Sequence, residues 1–251
     1  MRKIVCSIAV TLSLLAMPHL FAEDASAIFN EANKFYEQGR YSEAVNAYEK
    51  IIQSGLDSGA VHFNLGNAFL KAGKTGRAIV AYRIAEKISP RDPDLRANLQ
   101  FARDQAAGGL SNAALPWTKW TTRLTLNEWT LLAAVATSGW FLLLALRQWV
   151  PKSNKTSSRT FLLLGVVAGT SVFCLVSAIR TELAQFSVVI VPEAVVRRGP
   201  FEESQSAFSL RDGAEVTVLD RNTSWVQILD GSQRTGWLPL RQLLLIPNAK
   251  R

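Results

Sequence analysis

The side chains that usually perform chemistry are scarce in this sequence, and those present are scattered. The chain of 251 residues holds two histidines and two cysteines. Cys6 and His19 fall in the first 22 residues and Cys174 in a long apolar run, so the polar parts of the chain keep one imidazole, His62, and no thiol. A nucleophile triad, a zinc site or an imidazole acid/base pair needs more than that. No glycine-rich phosphate loop accompanies the Asp and Glu residues, which stand unpaired on ordinary helical and turn faces. The sequence therefore predicts neither an enzyme nor a bound metal or cofactor. His62 falls at a large core-packing position and is expected to be packed or partly exposed.

The elements that place the remaining polar residues are set by two apolar runs. No charge occurs from Trp129 to Leu146 or from Thr160 to Ile179, and a helix of about 20 apolar residues is long enough to cross a bilayer. Transmembrane helices are expected over 126–146 and 160–180. The connecting segment 147–159 carries Arg147, Lys152, Lys155 and Arg159 with no acid, and short basic loops stay in the cytoplasm. Both outer ends then point away from the cytoplasm. Trp117, Trp120, Trp129 and Trp149 flank the first run at interfacial depth. Within the second, Gly165 and Gly169 form a small-xxx-small pair that permits close helix approach.

The formal net charge of +8 follows from this topology. Residues 23–110 hold eleven basic and eleven acidic side chains, and residues 180–251 nine and eight. Neither flank has the excess of positive charge that a nucleic-acid partner requires. Residues 1–22 read as an export signal, with Arg2 and Lys3 before the apolar stretch Ile4 to Met17. Cleavage is expected after Ala22 or Ala27, with retention as an anchor as the alternative. Gly108 to Pro116 reads as a linker, within a connecting segment over 108–125.

Residues 26–105, within an expected domain over 23–107, carry an internal repeat. A shift of 34 residues places Ala32 on Gly66, Phe35 on Phe69, Gly39 on Gly73, Ala44 on Ala78 and Tyr48 on Tyr82. The small residues allow two antiparallel helices to approach and the aromatic ones fill the space around them. With Leu65, Ala85 and Pro90 in the second unit, the segment resembles the tetratricopeptide repeat (TPR) family. The expected architecture is two repeats, 26–59 and 60–92, and a capping helix, 93–106, begun by Asp92-Pro93-Asp94. The resemblance implies a groove whose polar positions are Asn30, Asn33, Asn64, Asn67 and Asn98. Such a ladder of amides can hydrogen-bond an extended peptide or partner protein. Phe29 and Phe63 stand where some TPR domains carry carboxylate-binding lysines, so a free C-terminus is not the expected ligand.

Residues 187–247 turn to short strands separated by Arg211-Asp212-Gly213 and Asp230-Gly231. Strands are expected at Val195-Val196, Glu215 to Leu219, Trp225 to Leu229 and Gly236 to Leu238, and about five such strands suggest a small barrel. The runs from Val196 to Pro200, Leu210 to Val216, Trp225 to Ile228 and Thr235 to Pro239 resemble a bacterial SH3 domain. Trp225 and Trp237 are the candidate aromatic surface, with their division between core and ligand face left open.

The expected fold is thus multidomain: all-α TPR hairpins, two transmembrane helices, and a C-terminal all-β SH3-like barrel. This order is similar to that of TPR- and SH3-bearing members of the Bat (Bacteroides aerotolerance) family. The resemblance implies partners among von Willebrand factor A proteins and a MoxR-type ATPase system, and a role in envelope stress or aerotolerance. On this reading the protein is an inner-membrane scaffold with both modules in the periplasm. The alternative is a cell-wall tether whose SH3-like domain binds peptidoglycan while the TPR segment recruits an envelope enzyme.

Overall fold

The computed structural model describes residues 26–107, 124–147, 155–183 and 185–246. The expected signal segment, the linker as far as residue 123, and residues 148–154 of the basic loop lie outside the described residues, as do Trp117, Trp120 and Trp149. The chain forms two compact units. One joins the N-terminal helices to the C-terminal sheet, although about 80 residues separate them in sequence, and the other holds the two apolar helices.

Five helices open the first unit: α1 over 26–37, α2 Tyr41–Gln53, α3 Gly59–Lys71, α4 Thr75–Ile88 and α5 Pro93–Ala106. Their ends follow local chemistry. Ser58 caps α3 by accepting the Val61 N–H at 3.3 Å. Asp92 caps α5 by accepting the N–H groups of Asp94 and Leu95, with Pro93 in the first turn. Gly39 and Gly73 adopt φ of 76° and 75° just after α1 and α3, the left-handed conformation that ends a helix. The helices bury Ala32, Ala44, Tyr48, Ala78, Tyr82 and Ala85, and α5 adds Leu95, Leu99 and Ala102. His62 is buried, 5 % exposed, with Nε2 2.6 Å from Asp57 Oδ1.

Seven antiparallel strands follow: β1 Phe186–Val189, β2 Glu193–Arg197, β3 Ser206–Arg211, β4 Glu215–Arg221, β5 Trp225–Leu229, β6 Thr235–Pro239 and β7 Leu243–Leu245. The expected barrel of about five strands is corrected here. The spatial order is β3-β2-β6-β5-β4-β1-β7, which leaves β3 and β7 as edges, so the sheet is not closed. Irregularities at Val196/Arg197 and Val218/Asp220 bend the sheet around its own core. That core contains Val196, Val216, Val226, Ile228, Leu238 and Leu243.

The helices occupy the faces that explain this open order. Strand side chains alternate in direction, and β1 is buried on both sides: Val189 joins the sheet core, whereas Val188 joins the core of the helices. In and just after β7, Leu243 faces the sheet core while Leu244 and Ile246 meet the helices. One apolar core therefore runs from the repeats into the sheet.

An ionic cluster lies on the same seam. Glu215, at the start of β4, receives Arg83 Nη2 of α4 at 2.8 Å and Arg103 Nε of α5 at 2.5 Å. Arg83 also reaches Glu86 at 3.1 Å, and its guanidinium lies 5.6 Å from the Phe186 ring centroid. Burial alone would raise the Glu215 carboxyl, but Arg83 and Arg103 outweigh it and hold it down at about 2.

In the second unit, α6 Leu126–Arg147 packs on α7 Lys155–Leu183. The loop expected over 147–159 is shortened because α7 is already helical from Lys155, beyond the reach of Pro151. Leu126–Leu146 and Leu162–Arg180, 21 and 19 residues, are long and apolar enough to cross a membrane. Their outer faces expose large apolar side chains such as Leu131, Val135, Phe141, Leu162, Val167 and Phe173. Of the two glycines expected to allow close approach, Gly165 receives the Trp140 ring, 3.2 Å from where a Cβ would sit, and Gly169 meets nothing within 4 Å.

Two outcomes are expected. A Cβ on Gly66 would lie 2.5 Å from the Tyr82 ring, so Gly66→Leu should destabilise the repeats by roughly 1–3 kcal/mol or more, read as a lowered melting temperature of residues 26–107 in the full-length protein. The Glu215 carboxyl, ordinarily at 4.5, is lowered in the folded state. It therefore adds stability, on the order of 3 kcal/mol, above its ordinary pKa and loses it as pH falls toward 2. Melting temperature in detergent micelles should drop across that window, and Glu215→Gln should flatten the drop; an unchanged slope would mean the arginines do not hold this carboxylate.

Candidate functional site

The repeat places an identical hydrogen-bond network twice along one groove. Asn33 Oδ1 accepts from Tyr48 Oη at 2.6 Å and from Asn64 Nδ2 at 3.3 Å. Thirty-four residues on, Asn67 Oδ1 accepts from Tyr82 Oη at 2.6 Å and from Asn98 Nδ2 at 2.9 Å. Each network spans three helices: the asparagine pair comes from α1 and α3, or α3 and α5, and the tyrosine from the helix between them. The 34-residue period brings each set into register.

Burial pushes the Tyr48 phenol up to about 12, against the lowering effect of the Asn64 hydrogen bond. Burial likewise raises Tyr82, so both hydroxyls remain protonated donors at neutral pH. Phe29 stacks edge-on against Tyr48 with centroids 5.9 Å apart, and Phe63 lies 6.1 Å from Tyr82. These phenyl rings back the groove with apolar surface.

Four of the five expected asparagines are thus brought into two bonded sets, and Asn30 stands exposed one turn before Asn33 on α1. Their amides are only partly used. Once Asn33 and Asn67 have each accepted two bonds, their Nδ2 groups can still donate and the Oδ1 atoms of Asn64 and Asn98 can still accept. One donor and one acceptor per repeat match the N–H and C=O of an extended peptide. A small open cleft of about 90 Å³ is lined by Asn33, Tyr36, Glu37, Tyr48, Asn64 and Asn67, well under the roughly 300 Å³ at which small-molecule sites begin. Tyr36 and Glu37 were not among the expected site residues. The 15-residue interval between each Asn and its Tyr was the available signal for the hydroxyl contacts.

Trp225 and Trp237 lie on one face of the sheet. Val226, Ile228 and Leu238 point into the core, so their neighbours Trp225, Gln227 and Trp237 point outward, half-buried. The register pairs Gln227 with Trp237 and Trp225 with Pro239, making the tryptophans diagonal neighbours. Arg197 of β2 pairs with Trp237 on its other side. The sequence left open a division between core and surface; both rings belong to the outer face.

The fold agrees with what the two parts resemble among known proteins. The tetratricopeptide repeat family matches residues 29–93, and the bacterial SH3 domain family matches residues 191–243. The chain carries both domains. Over 57 residues it is 40% identical to "Uncharacterized protein YgiM" of Escherichia coli strain K12 and equally to the proteins of that name in Escherichia coli O157:H7 and Shigella flexneri. Each match covers 22% of this chain and 28% of the relative, so the chain spans little more than a quarter of the length of these curated relatives. TPR and SH3 domains are protein-interaction modules, and bacterial SH3 domains can bind peptidoglycan.

The two asparagines that look alike in sequence should differ in solution. Asn67→Ala strips the buried Tyr82 hydroxyl of its acceptor and should cost about 1–3 kcal/mol, whereas Asn64→Ala removes only a long donor bond and should cost much less. Thermal melts of the full-length variants test this, and equal losses would contradict the assigned network.

Proposed function

We propose that the protein is a membrane adaptor that presents a TPR groove and an SH3-like sheet together on the periplasmic side of a bacterial inner membrane, without catalytic activity of its own. One observation carries this reading: residues 26–107 and 186–246 share one apolar core, although two helices long enough to cross a membrane separate them in sequence. Two spans return the chain to the face it left, so a bilayer crossed at both helices is compatible with that shared core, whereas a single crossing is not. The acid-free loop between the helices, retained in the cytoplasm by its charge, supports the same orientation.

The groove's paired donors and acceptors favour an extended segment of a partner protein. A BatE-like place in a Bat-type assembly, with von Willebrand factor A proteins and a MoxR-type ATPase system as partners in envelope stress or aerotolerance, is the specific form proposed. The outward Trp225 and Trp237 support a second reading, in which the sheet holds peptidoglycan and the groove recruits an envelope enzyme.

Crosslinking and recovery of the full-length protein from its native membrane separates these readings. Asn30→Ala with Asn64→Ala should lose membrane-anchored partner proteins if the groove is the principal contact. Recovery of wall fragments that persists in that variant and disappears in Trp237→Ala would favour the tether, and recovery of neither class would overturn both.

A further inference from the structure

The first repeat shows what the second would look like with nothing docked on it. The 34-residue shift places Ser42 on Gly76 and Glu49 on Arg83. At both positions the second unit departs from the first, and at both it meets the sheet. A Cβ at Gly76 would collide with the Val189 carbonyl oxygen and with Asp212 Oδ1. Gly213 is matched to the helices in the same way, since a Cβ there would lie 2.6 Å from Ala106 Cβ and 3.1 Å from Ile79 Cδ1. Its φ of 87° suits the turn it occupies.

The turn that Gly213 shapes supplies something that α4 lacks. The first four N–H groups of a helix have no partner within it, and neither Arg40 before α2 nor Lys74 before α4 provides a side-chain cap. The Asp212 carboxylate lies against the first turn of α4, since a Cβ on Gly76 would run into its Oδ1, and the backbone N–H groups of Gly76 and Thr75 favour its charged form. Arg77 lies near the same carboxylate, and the Gly213 N–H donates to the Val189 carbonyl at 2.9 Å. The β3–β4 turn thus acts as an N-cap delivered from another part of the chain, and about two helical turns further on Arg83 closes on Glu215 at 2.8 Å.

We infer that this face of α4 and α5, formed by Thr75, Gly76, Ile79, Arg83, Arg103 and Ala106, is a dedicated docking surface whose occupant is residues 186–246 of the same chain, so that the TPR and SH3-like segments act as one obligate body. Close approach at two glycines, a shared apolar core, a cap in trans and a two-arginine clamp on one carboxylate converge on this seam. A freely tethered domain requires none of them. External partners consequently meet the asparagine groove and the tryptophan face at a fixed spacing, and this face of α4 is closed to them.

Hydrogen–deuterium exchange on the full-length protein in detergent micelles tests the inference, because α2 provides an internal reference at the equivalent repeat positions. In the wild type the amides of Thr75 and Gly76 should exchange at least about fivefold more slowly than those of Tyr41 and Ser42, as expected for a capped against an uncapped first turn. Asp212→Ala should abolish that difference while leaving α2 unchanged. Glu215→Gln, which leaves the cap itself intact, should accelerate exchange at residues 75–83 and at 186–189 by the same factor. Equal wild-type rates at the two helix starts would overturn the inference. So would acceleration in the variants confined to 186–246, since the sheet would then be loosening without its helices.

Discussion

The first unit depends on a four-residue strand with no solvent-facing side. Val188 and Val189 point in opposite directions, as neighbours in a strand must, and each is fully buried, one among helices and the other in the sheet. The strand cannot satisfy both faces unless the repeats and the sheet are already in contact. Its hydrogen bonds with β4 and β7 carry this constraint into the rest of the sheet. The open strand order follows, because the helices take up apolar faces that barrel closure would otherwise have to cover.

The polar contacts at the seam provide direction where apolar burial provides attraction. Apolar contact alone is tolerant of rotation and sliding. A carboxylate held by two guanidiniums from different helices fixes register, and leaving any one of them without its counterpart would strand a partly buried charge. Asp212 adds a second fixed point one edge away, where burial pushes its carboxyl up and the N–H groups of Gly76, Thr75 and Gly213 oppose that shift. Burial and ion pairing together thus define one orientation of the sheet on the helices.

Two ordered surfaces result from this arrangement, a groove and a sheet face. The groove owes its regularity to the repeat, which copies one Asn–Tyr–Asn network after 34 residues and leaves matching donors and acceptors in each copy. The sheet owes its tryptophan pair to strand alternation, which places Val226, Ile228 and Leu238 inside and Trp225 and Trp237 outside. Both surfaces are built on regular elements backed by cores, so their side chains are held by the scaffold rather than by ligand.

Periodicity made much of this protein legible in its sequence. The 34-residue match of small and aromatic residues identified the paired helices, because close helix contact demands those sizes at those intervals. The charge-free runs identified two helices able to cross a membrane, and alternation with turn residues identified a β-rich end. Tertiary structure decided what local pattern could not encode. Tyr48 and Tyr82 read as space-filling rings, yet their hydroxyls organise the asparagines, and only helix placement brings the pairs within 2.6 Å. Gly76 and Asp212 carry no signal in isolation, since a cap and the helix it serves lie 136 positions apart. The sequence by itself determined the elements, because hydrophobic period and helix-end chemistry act within a few residues; the tertiary structure alone decided that two modules are one body, because burial and ion pairing act across space without regard to chain distance.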